Sequence, residues 1–497
     1  KEALENADIF SALSFPVPGE DLAVLRFLIA LVYLYCEPKG FDEWKKIWKT
    51  GRFPEKLIKK IERDSDFFNT LDSEKPFMQV WEEREKKTRP VTALYKTLPG
   101  KTATLHFRHY SFSDQYALCV SCFLPALLSA HLYANSGGIA PKEKDGGRHF
   151  LAGINGSAPL FLWAEGTNLF ETVWLNILCG EYQRNYVDRG FLRDANRWPE
   201  EWDRFEVTAD EIGMTDGILW RPRGIRAFLE KNAGNEPCMV CGTVHDRIIR
   251  EIDYRSGNHR LKEGSFWQDP MVARVHTQEG KITRTSLSGF QEAERSGWKD
   301  FASLTYQEKR IAKTQDGEKI YERMVVPVMG QLARLRITPK KWNIQCFIVD
   351  TPSQPPIRKY LYGSYIYRSE WIEEDEIQDL TRLLVRKTYN GENVLSKALR
   401  RAFGDEKKVP GFKEAYWQEL EIPFADFLTT LEEYEGTVAE RVWNKILAEH
   451  VDELYNRLTG SLYDNGSLLG NVIAGERIVR GYTKSLRNKE EMANERE

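Results

Sequence analysis

Two Cys-x-x-Cys pairs, Cys119-Val120-Ser121-Cys122 and Cys238-Met239-Val240-Cys241, constrain this chain more than any other feature. Two thiolates at this spacing point at one ion, but a closed tetrahedral site needs four ligands, so neither pair suffices alone. If both serve one metal, segments with 115 residues between them must meet. Gly242 after the second pair lets backbone amides turn toward the sulfur, which is the form of a zinc knuckle. The first pair opens an apolar stretch, where residues three apart share a helix face and the helix N-terminus favours thiolates. The separation is far beyond that of a compact zinc ribbon, and two unrelated buried pairs are the competing reading. Cys36, Cys179 and Cys346 lie in apolar stretches and read as core. With seven Cys in a long chain, a reducing compartment and metal ligation are expected ahead of disulfides.

The rest of the composition describes a globule. At 497 residues, 41% hydrophobic and 12% aromatic, the chain can bury a large core in two to four units, which excludes disorder, collagen and a disulfide miniprotein. Lys plus Arg (71) nearly balances Asp plus Glu (74), so any basic surface is local. The longest apolar run, 22–36, is interrupted by Arg26 and falls short of the ~20 residues a bilayer requires, so it reads as a core helix. We read no secretory leader before it and expect a cytoplasmic protein without a membrane partner. Lys1 in place of Met leads to the expectation that the native start lies upstream.

Residues 1–372 mix apolar helical stretches (22–36, 115–134, 168–186) with strand-like runs at 344–349 and 357–367, and read as one α+β body. After the acidic run 373–376 the pattern becomes helix after helix. Ile377, Leu380 and Leu384 form a stripe continued by Leu395, Leu399 and Ala402. Tyr416, Leu420, Phe424, Phe427 and Leu431 form the next, bent at Pro423. Trp443, Leu447, Val451, Leu454 and Leu458 follow, then Leu469, Val472, Val479 and Leu486. This spacing predicts a four-helix bundle over 373–497.

An enzyme reading exists. Zinc deaminases place His or Cys, any residue and Glu ahead of Pro-Cys-x-x-Cys, and Cys179-Gly180-Glu181 with Pro237, Cys238 and Cys241 meets that form. Against it, Gly242-Thr243 opens a helix poorly and Cys179 sits in an apolar stripe. A phosphate-binding G-x-x-x-x-G-K-[ST], H-E-x-x-H and G-x-S-x-G are absent, and on these grounds the chain is not expected to be an enzyme. A zinc-stabilised protein-interaction scaffold is a second alternative. Nucleic-acid contact has local support: 331–370 carries seven cations against two acids, with Trp342, Tyr360, Tyr362, Tyr365 and Tyr367 interleaved. The loop 135–148 (NSGGIAPKEKDGGR) adds glycines for close backbone approach and cations for phosphate.

In chain order, Lys75-Pro76-Phe77-Met78-Gln79, the Cys119/Cys122 helix, the glycine loop, FLAGINGSAPLFLWAEGTNLFETVWLN over 150–176, CMVCG at 238–242, Trp267-Gln268-Asp269-Pro270 and a terminal helical bundle resemble the CasA family. These are the large subunits of the type I-E CRISPR surveillance complex, Cascade. The resemblance covers nearly the whole chain and lies in the order of weak motifs. It implies an α+β N-terminal body and a C-terminal four-helix bundle, one structural Zn2+ on Cys119, Cys122, Cys238 and Cys241, and no catalysis. It implies as partners the crRNA-containing backbone and small subunits, target double-stranded DNA and a helicase-nuclease. Guide RNA reads the target, while this subunit checks the adjacent motif (PAM), promotes duplex opening and R-loop formation, and recruits the effector.

Three checking elements follow from the resemblance. The glycine loop places Asn135 with either Gly137 and Gly138 or Gly146 and Gly147 at the DNA. A basic residue is expected in a β-hairpin after the second knuckle, where Arg255, His259 and Arg260 compete. Gln354, displayed between Ser353 and Pro355, falls on the position of a minor-groove wedge. The loop is longer than is usual in the family, and the family's N-terminal strand is missing before Lys1. Finally, Arg477, Arg480, Lys484 and Arg487 recur at steps of 3, 4 and 3 on one helical face. That face is either solvated or tracks the phosphates of a displaced DNA strand.

Overall fold

The computed structural model describes residues 1–80, 88–95, 116–135, 137–139, 149–150, 152–156, 159–186, 206–257, 259–263, 265, 267–272, 274–277, 308–314, 317–337, 341–350, 359–368, 375–431, 436–464 and 466–494. The chain forms two compact units: Lys1–Gln291 with Lys309–Ile337 and Gln345–Tyr362, and Glu292–Glu308 with Thr338–Ile344 and Gly363–Glu497. Among the described residues no helix is long and apolar enough to cross a membrane.

The first unit is organised around the helix Glu20–Cys36. Its sequence is apolar on every side, so only the interior accommodates it, and Leu22, Leu25, Ile29, Val32 and Tyr33 are buried. Val120–Leu132, Glu55–Arg63, Leu169–Leu175 and Met214–Ile218 pack against it. An aromatic wall of Trp44, Phe53, Phe170 and Trp174 closes one side. Its polar ends are satisfied, because Trp44 Nε1 donates to the Ile177 carbonyl at 2.9 Å and Trp174 Nε1 to that of Trp44 at 3.1 Å.

The stretch 168–186, expected as one helix, is two: Leu169–Leu175 and Gly180–Tyr186. Asn176 explains the break. Its fully buried amide accepts from Ala164 N–H at 3.0 Å and donates to the Ala164 and Thr172 carbonyls at 2.7 Å, capping the first helix against the strand Leu160–Glu165.

Among the described residues, three three-stranded sheets and two two-stranded ones carry the β part. One runs Thr88–Pro90, Arg247–Ser256, Arg223–Lys231, all antiparallel. A second runs Glu308–Thr314, Gly317–Met324, Arg274–Thr277, and a third Lys359–Arg368, Lys341–Asp350, Leu160–Glu165. Lys341–Asp350 contains the run expected at 344–349, and Lys359–Arg368 covers 359–367 of the run expected at 357–367, whose first two residues lie outside the described ones.

In the second unit three long helices, Asp375–Phe403, Gly436–Thr459 and Gly466–Asn494, pack on one another pairwise. Leu384, Leu395, Leu399, Ala402, Trp443, Leu447, Val451, Val472 and Val479 are buried, as their spacing predicts. The helix expected to bend at Pro423 is instead broken at Leu420, into Phe412–Glu419 and Glu421–Thr430. Pro423 then falls in a first turn, where the missing N–H removes no helical bond. Buried polar contacts fix this packing: Trp417 Nε1 donates to Glu392 at 2.8 Å, the Tyr416 hydroxyl to the Thr388 carbonyl at 2.8 Å, and Trp443 Nε1 to Thr388 Oγ1 at 3.1 Å.

Candidate functional site

The strands Arg223–Lys231 and Arg247–Ser256 form one long hairpin, and the second Cys pair lies in its turn. Cys238 N–H donates to Thr243 O at 2.9 Å and Gly242 N–H to Cys238 O at 2.9 Å, closing a tight knuckle. Gly242 has φ +72°, a conformation that disfavours a side chain. The chain ahead of the helix Val120–Leu132 reaches this turn by adding a short bridge to the hairpin: Leu118 N–H donates to Ile249 O at 2.9 Å, Ile249 N–H to Leu118 O at 2.8 Å, and Met239 N–H to Ala117 O at 2.9 Å. Cys119 is thereby the helix N-cap, its sulfur accepting Cys122 N–H at 3.4 Å, while its own N–H donates to Cys238 Sγ at 3.4 Å. The separation in sequence is thus bridged by backbone pairing.

The four Sγ atoms lie within 4.8 Å of one another, with Cys119 Sγ 3.9 Å from Cys241 Sγ. Thiolates at ~2.3 Å from a tetrahedral ion stand roughly 3.8 Å apart, so the cluster has the dimensions of a four-thiolate zinc site. All four are free thiols. Burial pushes the Cys119 and Cys122 thiols up. Exposed Cys241 is brought down to about 6, first by the Thr243 amide and then by His245, whose Nε2 lies 3.9 Å away. Burial that opposes the Cys119 and Cys122 thiolates is what a bound divalent cation relieves.

Cys179 does not join this group. It is buried in the core, its N–H donating to Gln331 Oε1 at 2.7 Å, and Glu181 accepts the Phe41 N–H at 3.1 Å. The deaminase ligand set is therefore not assembled, because Cys238 and Cys241 face Cys119 and Cys122 instead.

The glycine loop begins where the same helix ends. Gly137–Ile139 pairs antiparallel with His149–Phe150 across a register irregularity, so residues 135–150 are based on a two-stranded stem. Asn135 is buried at its root, and its carbonyl accepts Arg223 Nη2 at 2.6 Å. Gly146, Gly147 and Gln354 lie outside the described residues.

The three competing hairpin cations are placed differently. Arg255 is buried beside Asp253, with which it pairs on one face of the strand. His259 is buried edge-on to Trp220 at 4.7 Å, and burial lowers its pKa to about 3. Arg260 is exposed, with Nε donating to Glu206 at 3.0 Å. Among the described residues Arg260–Leu261 pairs in parallel with Glu206–Val207 rather than with Arg247–Ser256.

On the last helix all four stripe cations are exposed, apart from buried Val472, Val479 and Leu486. Arg480 pairs with Glu476, and Arg487 with Asp452 at 3.3 Å. Arg477 and Lys484 carry no ion pair among the described residues. A cavity of about 550 Å³ between Gly436–Thr459 and Gly466–Asn494 is lined by Asp452, Glu476, Arg480, Lys484 and Arg487.

Sequence reasoning missed a buried polar group in the first unit. Arg26 donates to both oxygens of Asp269, at 3.0 and 2.6 Å, with Asn155 on the same carboxylate. The available signal was the charge that interrupts the 22–36 apolar run, because a buried guanidinium requires an acid.

A family model described as CRISPR-associated protein Cse1 matches residues 1–454. Among solved structures, Thermobifida fusca Cse1 is similar at 18% identity and TM-score 0.73, over 99% of this chain and 94% of that one. Thermus thermophilus CasA (Cse1) is similar at 18% identity and TM-score 0.72, over 97% and 94%. A chain of a CRISPR RNA-guided surveillance complex is similar at 17% identity and TM-score 0.67, over 96% and 94%.

Proposed function

The chain belongs to the CRISPR-associated protein Cse1 family, as a large subunit of the type I-E surveillance complex Cascade, and from that premise we propose that it is the non-catalytic subunit that checks the PAM in duplex DNA, promotes opening and R-loop formation, and recruits the helicase-nuclease. The observation that carries this reading is the placement of the cysteine cluster and the glycine stem at opposite ends of one helix, Val120–Leu132. Such an arrangement presents backbone amides on a rigid support, which suits reading a minor groove by shape and close approach.

The parts divide the work. Cys119, Cys122, Cys238 and Cys241 hold one structural zinc, which supplies cross-linking of the helix start to the hairpin turn. Gly137 and Gly138 approach the PAM, with Gly146 and Gly147 the alternative pair. Of the three competing residues, Arg260, on the short strand Arg260–Leu261, is the one that reaches solvent. Gln354 wedges the opening step. Residues 373–497 act as a four-helix bundle whose second member is broken at Leu420, and its stripe of Arg477, Arg480, Lys484 and Arg487 follows strand phosphates. Phosphate contacts of this kind position without specifying sequence.

The test is binding of the assembled RNA-guided complex to duplex targets with a matching or scrambled PAM. Gly137→Asp with Gly138→Asp should abolish the affinity difference, because a carboxylate cannot share the space of a DNA groove. An unchanged difference after replacement of both glycine pairs refutes the reading.

A further inference from the structure

The carboxylate of Asp269 is fully buried and takes four donors: Arg26 Nη1 at 3.0 Å, Arg26 Nη2 at 2.6 Å, Met271 N–H at 2.9 Å and Asn155 Nδ2 at 2.6 Å. Arg26 is 1% exposed, in the middle of the helix Glu20–Cys36. Burial opposes the charge on Asp269, but Arg26 and these hydrogen bonds outweigh it and hold the carboxyl below its ordinary range. A buried ion pair of this kind adds little net stability over apolar side chains of the same volume, since desolvation of both ions offsets their attraction. What it does supply is a fixed direction for any third group bonded to it.

Here the third group is Asn155, and its position gives that direction a use. Residues 152–156 follow the second strand of the glycine stem. Gly153 N–H donates to Ala134 O at 2.9 Å, which closes the base of the stem on the residue before Asn135. A Cβ on Gly153 would stand 3.1 Å from the Leu132 carbonyl, so the close seating of this base on the helix end depends on glycine. The other root of the stem is tied separately, by Arg223 Nη2 to Asn135 O at 2.6 Å, with Arg223 Nε held by the Tyr254 hydroxyl at 3.1 Å. One root is thus fixed to the sheet and the other to the buried carboxylate.

We propose that Asp269, held by Arg26, is a positioning residue that acts through Asn155 to set the seating of the glycine stem, and through it the sharpness of PAM discrimination. The proposal rests on reading that stem as the PAM-checking element. The role asks for no contact between the joint and DNA. Its contribution is angular: a stem free to rock at one root presents its amides at several depths, and discrimination falls while phosphate-driven binding persists.

The experiment uses the complete RNA-guided complex and measures the ratio of affinities for matching and scrambled PAM duplexes, beside the melting temperature of the isolated subunit. Asn155→Ala leaves the Arg26–Asp269 pair intact, so the variant folds, and loss of a charge-assisted bond should lower the ratio about tenfold. Asn155→Asp sets two carboxylates together and should lower it further. Combining Asn155→Asp with Asp269→Asn restores one amide and one carboxylate and should recover the ratio. The Gly137→Asp, Gly138→Asp variant serves as reference. If it alone abolishes discrimination while both Asn155 variants keep the parental ratio, the positioning role is overturned. If the ratio falls in the single variants and does not return in a folded double variant, it is likewise overturned. If the glycine variant changes nothing, the PAM reading of the stem fails and this proposal with it.

Discussion

Replacing Glu20 by Gln should stabilise the first unit, and only at high pH. Glu20 opens the helix Glu20–Cys36 at 2% exposure, and its Oε1 accepts no hydrogen bond. Burial, and then the neighbouring Asp21, raise its pKa from 4.5 to about 7. The folded state therefore binds this proton more tightly than the unfolded chain does. The contribution to stability is complete below pH 4.5 and is lost as pH rises through 7, once the buried side chain must ionise. A shift of this size corresponds to a ceiling of about 3 kcal/mol above pH 8, and the helix N-terminus returns roughly 0.5 kcal/mol of that to the carboxylate. Glu20→Gln removes the penalty while keeping the shape. Its melting temperature should exceed the parent's by a few degrees at pH 8.5 and match it at pH 5. A difference of the same size at both pH values, or a less stable variant at pH 8.5, refutes the assignment of a buried titrating carboxyl.

Metal analysis should find close to one zinc per chain, and Cys238→Ser should lose it together with stability; a folded parent protein without metal refutes the site. Changing Arg477, Arg480, Lys484 and Arg487 to Gln should reduce the log-log salt slope for single-strand binding by roughly 0.7 per contact without altering PAM choice. Arg480 and Arg487 already have carboxylate partners, so Arg477→Gln with Lys484→Gln should account for at least half of the change, and an unaltered slope in the folded quadruple variant assigns the face to solvent. Gln354→Ala should weaken R-loop formation on duplex targets by the few kcal/mol of unstacking one step, with rescue on targets already unpaired beside the PAM; equal loss on both refutes the wedge. His131 and His259 are each lowered to about 3 by burial and then by Arg221. The stability of their neutral forms is present above 6.5 and lost as pH falls toward 3, so His131→Gln should flatten the fall in melting temperature between pH 7 and pH 5.

The fold was legible wherever one periodicity ran without interruption. The 22–36 run, apolar except for Arg26, and the stripes of the last three long helices were sufficient, since each has a single way to be buried. The breaks were not, because they depend on what lies opposite. Asn176 ends a helix only because Ala164 offers it a carbonyl and an N–H in the neighbouring strand. Leu420 divides two helices although the sequence signal, Pro423, stands three residues later. The cysteine pairs were legible as ligands, but not their meeting, which rests on Leu118 and Ile249 exchanging hydrogen bonds. Arg255 and His259 looked like surface cations because composition carries no record of Asp253 or Trp220 beside them.

Two struts join the cysteine cluster to the glycine stem. One is the helix Val120–Leu132, about 20 Å long, which starts at the cluster and ends just before Asn135. The other is the strand Arg223–Lys231, which leads to the knuckle at one end and at the other holds Asn135 through Arg223. Two rigid members tied at both ends cannot change their mutual angle unless one tie gives. At the far end the described tie is the hydrogen bond from Arg223 to the Asn135 carbonyl, worth about 1–3 kcal/mol from a charged donor, whereas a four-thiolate metal at the near end would be far stronger. The metal should therefore govern the angle and the arginine the register. It follows that chelation should raise amide exchange of the stem residues Gly137–Ile139 well before it unfolds the hairpin strands. Exchange that rises first in Arg223–Lys231 would show that the cluster holds only its own turn.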